Sequence, residues 1–409
     1  MRRCHRLIGL LLLAACAPAP EGLHSIAPET TEPQIRVALV RQGTVLELGG
    51  GDALNLLDQS GFPMLSLASG AVARLEAAGD MVRVRAGGAG VGPVLRLEVL
   101  ADPAGLVRVA GREYRGRLVV TAAAGQLLVI NRLGIESYLA GVVNAEMGRR
   151  ADTELEALLA QAVVSRTYAL QALARGRTLP WDVVATVSDQ AYLGVGSELE
   201  QSWNAVRRTQ GQILEYQGEP IDPFFHSTCG GRTAAGDEVF QYARRPYLQS
   251  VSDAAPDGTS WCAISPRYRW TESWSAAALA EVLRATLPPL GLTSERQGAV
   301  RDVSVTGRSP SGRVAELTIA FEQGSVPVRG QAVRQALRPS GIDQLRSANF
   351  GVVTTRSAGR LQQLSAEGGG AGHGVGMCQW GAVGRARAGW SASAILATYF
   401  PGAMLARRW

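Results

Sequence analysis

Between Ile35 and about Leu128, apolar and polar residues alternate in short runs separated by glycine-containing breaks. IRVALV, MVRVRAG, VLRLEVL, LVRVAG and RLVVTAAAGQLLVI carry the two-residue period of strands with one buried face. The region therefore predicts antiparallel strands joined by tight turns. The period changes at NRLGIESYLAGVVNAEMGRRADTELEALLAQAVVSRTYALQALARG, where apolar positions recur at helical spacing. One helix is predicted over residues 134–143 and a second from Thr153, with Thr153 and Glu156 as its capping box. Leu155, Leu158, Leu159, Ala162 and Val163 mark the buried face of the second.

Later segments mix both periods. WDVVATVSDQAYLGV precedes a polar helix over residues 198–209 and a strand pair, GQILEYQGEPIDPFFHSTCGGRT, that turns at QGEP. A helix over 274–287 stops at Pro288, VRDVSVTGRSPSGRVAELTIAFEQG reads as a hairpin, GGGAGHGVGMCQWGA as a loop, and residues 392–400 as a closing helix. No long-period repeat is present. The expected fold class is α+β: a strand-rich N-terminal unit over 35–110, then a mixed α/β catalytic-type domain with a central cleft over 111–402.

The first residues change the picture. Arg2, Arg3 and Arg6 precede the apolar run Leu7 to Ala15, which is too short to span a bilayer and reads as a secretory signal over residues 1–15. LAAC, ending at Cys16, resembles the lipobox of bacterial lipoproteins, in which the thiol after the cut carries lipid. Residues 16–34 then form a lipidated cysteine and a Pro-rich tether. The expectation is an exported lipoprotein of the cell envelope, held by its lipid at the periplasmic face of the inner or outer membrane.

Charge excludes one class. All 41 basic residues are arginine; without the three in the signal, 38 face 35 acidic residues, about +3. With no basic run interleaved with aromatics, nucleic acid is not an expected partner.

The candidate chemistry lies in few residues. Arg166 continues the apolar stripe of the second predicted helix, roughly 20° round the wheel from Leu155, so it needs an acceptor. The upstream candidate is Glu146, in the turn between the two predicted helices and the one acidic residue bracketed by small and apolar neighbours, whereas Asp189 and Asp253 sit in loops. His226 and Cys229 stand three apart before a double glycine, and Cys262 and Cys378 follow. A Cys–His nucleophile lacks protease-like surroundings, and no G-x-S-x-G elbow occurs. A Cys229–Cys262 disulfide is preferred over a structural zinc on His226, Cys229 and another of Cys262, Cys378 or His373. Ordinary glycoside hydrolysis needs two carboxylates, but one suffices when the attacking nucleophile belongs to the substrate. Residue types alone leave these readings open.

IESYLAGVVNAEM, ALLAQAVVSRTYAL, SDQAYLGV, FFHSTCGGRT, PYLQSVSD, LRSANFGV and GHGVGMCQWGA…GWSASAILATYFPG resemble, in this order, the stage II sporulation protein D family, also called the amidase-enhancer family. The resemblance runs from Tyr114 to Gly402. It implies a peptidoglycan lytic transglycosylase that cleaves between N-acetylmuramic acid and N-acetylglucosamine in denuded glycan strands. Glu146 then protonates the bridging oxygen and serves as base while the sugar's own hydroxyl closes a 1,6-anhydro ring. An acid of this kind is kept protonated by burial, so a direct Arg166 contact is unfavourable and Arg166 is expected on the substrate or another acceptor. Tyr168, His226, His373, Gln379 and Trp380 are the other residues expected to bind sugar. The chemistry requires no cofactor, though zinc bound through histidine and cysteine occurs in some members. The alternative the resemblance carries is a non-catalytic, glycan-binding enhancer of an N-acetylmuramoyl-L-alanine amidase, with that amidase as partner.

Overall fold

A computed structural model describes residues 31–101, 105–175, 178–240, 244–292 and 298–409. The fold is α+β. The alternating segments form two sheets. In the seven-stranded one, neighbours run 183–184, 34–40, 126–134, 117–123, 96–101, 54–57 and 63–67; in the six-stranded one, 112–114, 107–109, 45–49, 72–78, 81–86 and 89–94. Inward residues of both, among them Leu48, Leu75, Val84, Leu97, Val99, Leu118 and Val120, share one core. Period two put the right side chains inside in strands such as Met81–Ala86 and Arg96–Ala101, which bury Val82 and Val84, and Leu97 and Val99, in the shared core.

The seam expected at residue 110 is bridged by hydrogen bonds. Gln34–Val40 pairs antiparallel with Gln126–Gly134 and parallel with Val183–Val184, so strands on either side of that boundary lie in one sheet. Gln126–Gly134 leads directly into the first helix, Ile135–Met147, and the same core continues through the second, Leu155–Ala174. The second helix is entered by a short 3-10 turn, Asp152–Glu154, and the capping differs from expectation. Glu154 accepts from the Ala151 N–H at 3.1 Å, while Glu156 is drawn away to the Ala392 N–H at 2.7 Å.

A second core lies within residues 269–369. Strands Arg269–Ser275, Arg360–Gly369 and Phe350–Ser357 make one sheet, Val300–Arg308, Val314–Phe321 and Gly324–Arg329 another, and Trp270, Trp274, Leu283, Leu317, Ile319 and Leu364 fill the space between them and the helix Ala276–Thr286. That helix starts two residues later than expected. Trp270 and Trp274 are committed to the strand opposite Gly368 and Leu364, and Ser275 caps it by accepting from the Ala278 N–H. Among the described residues no helix is long and apolar enough to cross a membrane. The signal and Cys16 lie outside the described residues.

Candidate active site

The C-terminal end of the Ile135–Met147 helix opens into a groove of about 800 Å³. Glu146, Tyr168, His226, His373, Gln379 and Trp380 all line it, joined by Arg150, Asp189, Phe224 and Phe240. Glu146 is partly buried and accepts from the Ala191 N–H at 2.7 Å. Burial pushes its carboxyl above the usual 4.5, and hydrogen bonds from Ala191 and the Gln379 side chain pull it partly back. No salt bridge to Glu146 occurs among the described residues. A carboxyl in such a setting holds a proton that it can give away.

The other wall comes from the GHGVGMCQWGA segment. It is a loop only as far as Gly376; Met377–Cys378 pairs parallel with Phe225–His226, and a helix over Gln379–Arg387 begins at once. The sequence hid this helix because of its glycines. A Cβ on Gly381 would lie 2.6 Å from an Asp253 carboxylate oxygen and clash with the Tyr399 hydroxyl, so the residue serves close packing. Gly372 is a different case: it has φ 104°, and a Cβ there would stand 2.8 Å from that of His226. Small residues thus bring His226 and His373 to a ring separation of 5.6 Å, beside Phe224 and Phe240.

Both imidazoles are held neutral. His226 Nδ1 lies 3.1 Å from the Val375 carbonyl, and burial lowers its pKa well below 6.5. His373 Nδ1 accepts from the Val375 N–H at 3.1 Å, and burial, with Arg334 and Arg313 nearby, lowers it to about 4. Neutral rings among phenylalanines suit hydrogen bonding to uncharged hydroxyls. The Arg150 guanidinium lies 4.5 Å above the Trp380 ring, and Tyr168 donates to Asp189 at 2.5 Å. Asp189 also accepts from the Val184 N–H at 2.7 Å, which fixes the loop that carries Ala191. The sequence set Asp189 aside as a loop carboxylate and did not single out Arg150. Asp189 stood inside the SDQAYLGV block but without flanking chemistry, and Arg150 carries no signal at all.

Arg166 is the correction. It is fully buried and salt-bridged to Glu136 at 2.6 Å, with further bonds to the Thr209 hydroxyl and the Gln212 carbonyl. Neither Glu146 nor the groove is its partner. Helical spacing showed that it points inward, but Glu136 is the carboxylate it meets, roughly 15 Å along the first helix from Glu146.

The cysteines behind the groove also depart from expectation. Cys229, Cys262 and Cys378 are free and buried, with Cys229 and Cys262 sulfurs 3.5 Å apart and no bridge between them. Their sulfurs and an Asp253 carboxylate oxygen all lie within 4.8 Å of one another, and His226 is not in the group. The expected His226, Cys229, Cys262 set is therefore not assembled; Cys378, one of the alternatives, joins Cys229 and Cys262, and Asp253 stands where His226 was expected. Three thiols and a carboxylate at these separations match the donor types and spacing of a tetrahedral zinc site.

A more open hollow of about 860 Å³ lies against the second core, lined by Arg269, Arg308, Asn349 and Glu367 among others. Its guanidinium groups are already spent on carbonyls, Arg308 on Phe350 at 3.0 Å and Arg269 on Gly230 at 3.2 Å. It has no desolvated acid, and the smaller groove is the better candidate.

Known proteins are similar to this chain in sequence. A family model described as Stage II sporulation protein matches residues 123–216, which include Glu146, Tyr168 and Asp189. Another, described as a domain of unknown function, matches 262–376, close to the limits of the second core. An uncharacterised protein of Brachyspira hyodysenteriae is 31% identical over 71% of this chain and 72% of its own length. Stage II sporulation protein D of Bacillus subtilis is 28% identical over 68% of this chain and 75% of its own. The amidase enhancer of Bacillus subtilis is 28% identical over 65% of this chain but only 40% of its own length.

Proposed function

The chain belongs to the stage II sporulation protein D and amidase-enhancer family, with a cell-wall-related function, and from that premise we propose that it is a peptidoglycan lytic transglycosylase with Glu146 as its single acid and base. One observation carries the reading. Glu146 is a desolvated carboxyl with no salt bridge among the described residues, lining a groove that also offers neutral imidazoles, an amide and an indole. Its proton passes to the bridging oxygen as the bond from the muramic-acid C1 breaks. The carboxylate so formed takes the proton of the C6 hydroxyl as that oxygen closes on C1. Gln379 and Trp380 orient the strand, and the paired histidines take hydrogen bonds from or to its hydroxyls.

Denuded glycan strands incubated with the wild-type chain are expected to yield anhydro-ended fragments by mass spectrometry, and with Glu146→Gln almost none. Equal yield from the variant would remove Glu146 as the acid. Binding without products in the wild type would leave the second reading, a glycan-binding enhancer of a cell-wall amidase, which the similarity to the amidase enhancer supports. The Leu7 to Ala15 run and Cys16 support export and a lipid anchor at the cell envelope; radiolabelled fatty acid incorporated by the wild type and not by Cys16→Ser tests this.

A further inference from the structure

Three segments far apart in the chain meet at the thiol cluster, and the atoms around it are those that stabilise sulfur as an anion. The Cys229 and Gly381 N–H groups donate to the Cys378 sulfur at 3.2 and 3.3 Å, and the Gly231 N–H lies 3.4 Å from the Cys229 sulfur. Cys378 is the N-cap of the Gln379–Arg387 helix, so the positive end of that helix faces its sulfur. Two buried arginines stand beside the cluster. Arg385 pairs with Asp253 at 2.6 Å. Arg313 is buried, donates to the Cys229 carbonyl at 3.1 Å, and has no ion pair among the described residues.

From this arrangement we infer that Cys229, Cys262, Cys378 and Asp253 bind one zinc ion, and that His226 is not a ligand. A zinc–sulfur bond of ~2.3 Å in a tetrahedron separates sulfurs by about 3.8 Å; the Cys229 and Cys262 sulfurs are 3.5 Å apart and all four donor atoms lie within 4.8 Å of one another. Three thiolates and a carboxylate around Zn²⁺ leave two negative charges, which Arg385 and Arg313 offset. The three thiol protons go to solvent as the ion binds. A Cys229–Cys262 disulfide accounts for less: it uses two sulfurs, strands Cys378 as a lone buried thiol, and gives Arg313 no direct ion pair among the described residues. The site fastens the Cys229 turn and the 253–262 loop to the residue just before Gln379 and Trp380. It is a positioning device for the groove wall and takes no part in bond cleavage, so it holds whether the groove cleaves glycan or only binds it.

The full chain, produced with zinc and without chelator, is expected to carry about one zinc ion per chain by elemental analysis. Cys229, Cys262 and Cys378 fall in separate tryptic peptides, and all three are expected to alkylate without reductant. Cobalt exchanged for zinc should give thiolate-to-metal charge-transfer absorption, a readout that needs no variant to fold. Cys378→Ser and Asp253→Asn are expected to lose most of the metal, and His226→Ala to retain it. A linked Cys229–Cys262 peptide, a folded metal-free chain, or zinc lost from His226→Ala and kept in Asp253→Asn would overturn the assignment.

Discussion

Two glutamates close to opposite ends of one helix show how position sets role. Glu136, in the first turn of Ile135–Met147, faces the buried Arg166 guanidinium and also accepts from the Gly211 N–H and the Trp409 indole, each at 3.0 Å. Its two oxygens together accept four hydrogen bonds, two of them from the guanidinium, so the group is committed to the fold. Glu146, in the last turn, has one backbone donor, an amide neighbour and, among the described residues, no salt bridge, and it lines a groove. The first carboxylate holds the fold together; the second is desolvated at a cost to the fold and gains a proton to transfer. Burial in itself does not make a carboxyl reactive; what counts is burial without a counter-charge.

The contrast can be broken at either end. Glu146→Gln is expected to cut glycan cleavage by about a hundred- to ten-thousand-fold while circular dichroism and binding persist; full activity would mean that the two ends do not differ in function. Glu136→Gln strands Arg166 without its ion pair and should cost about 3–5 kcal/mol in denaturant unfolding. The double variant Glu136→Leu/Arg166→Met should recover much of that loss, and a single-variant cost below about 1 kcal/mol would show the pair to be ornamental.

Acidity sharpens the comparison further. Cleavage needs protonated Glu146, so the rate should fall as pH rises through its raised folded-state pKa. Because Gln379 lowers that pKa, Gln379→Ala should move the falling limb to higher pH. In stability the sign is the same. Folding holds this proton more tightly than the unfolded chain does, so the contribution is complete below about 4.5 and lost as pH rises through the folded value. Unfolding curves of Glu146→Gln should lack that component. The smallest effect is expected for Arg150→Ala, which removes the cation above Trp380 and should weaken strand binding by about 0.5–1 kcal/mol, less than tenfold in Kd.

Legibility differed between the two halves for related reasons. In the sheets, neighbours along the chain decide which face is buried, so IRVALV or MVRVRAG carried its own answer. At the site, partners come from distant segments. The inward turn of Arg166 was readable from spacing, but its choice of Glu136 over Glu146 was not. Asp253 and Cys378 are 125 residues apart in the sequence and within 4.8 Å in space, with nothing local to join them. The Gln379–Arg387 helix was hidden because its glycines serve contact with Asp253, Tyr399 and Trp261 against helix propensity.

The sequence by itself determined much of the strand pattern and the two central helices through local periodicity, and its motif blocks, by their resemblance to a family, singled out Glu146 as the candidate acid and five other side chains of its groove. Only the tertiary structure decided which carboxylate neutralises Arg166, which three sulfurs meet Asp253, and which groups desolvate Glu146. Charge pairing and burial depend on distance through space, and chain order does not encode that distance.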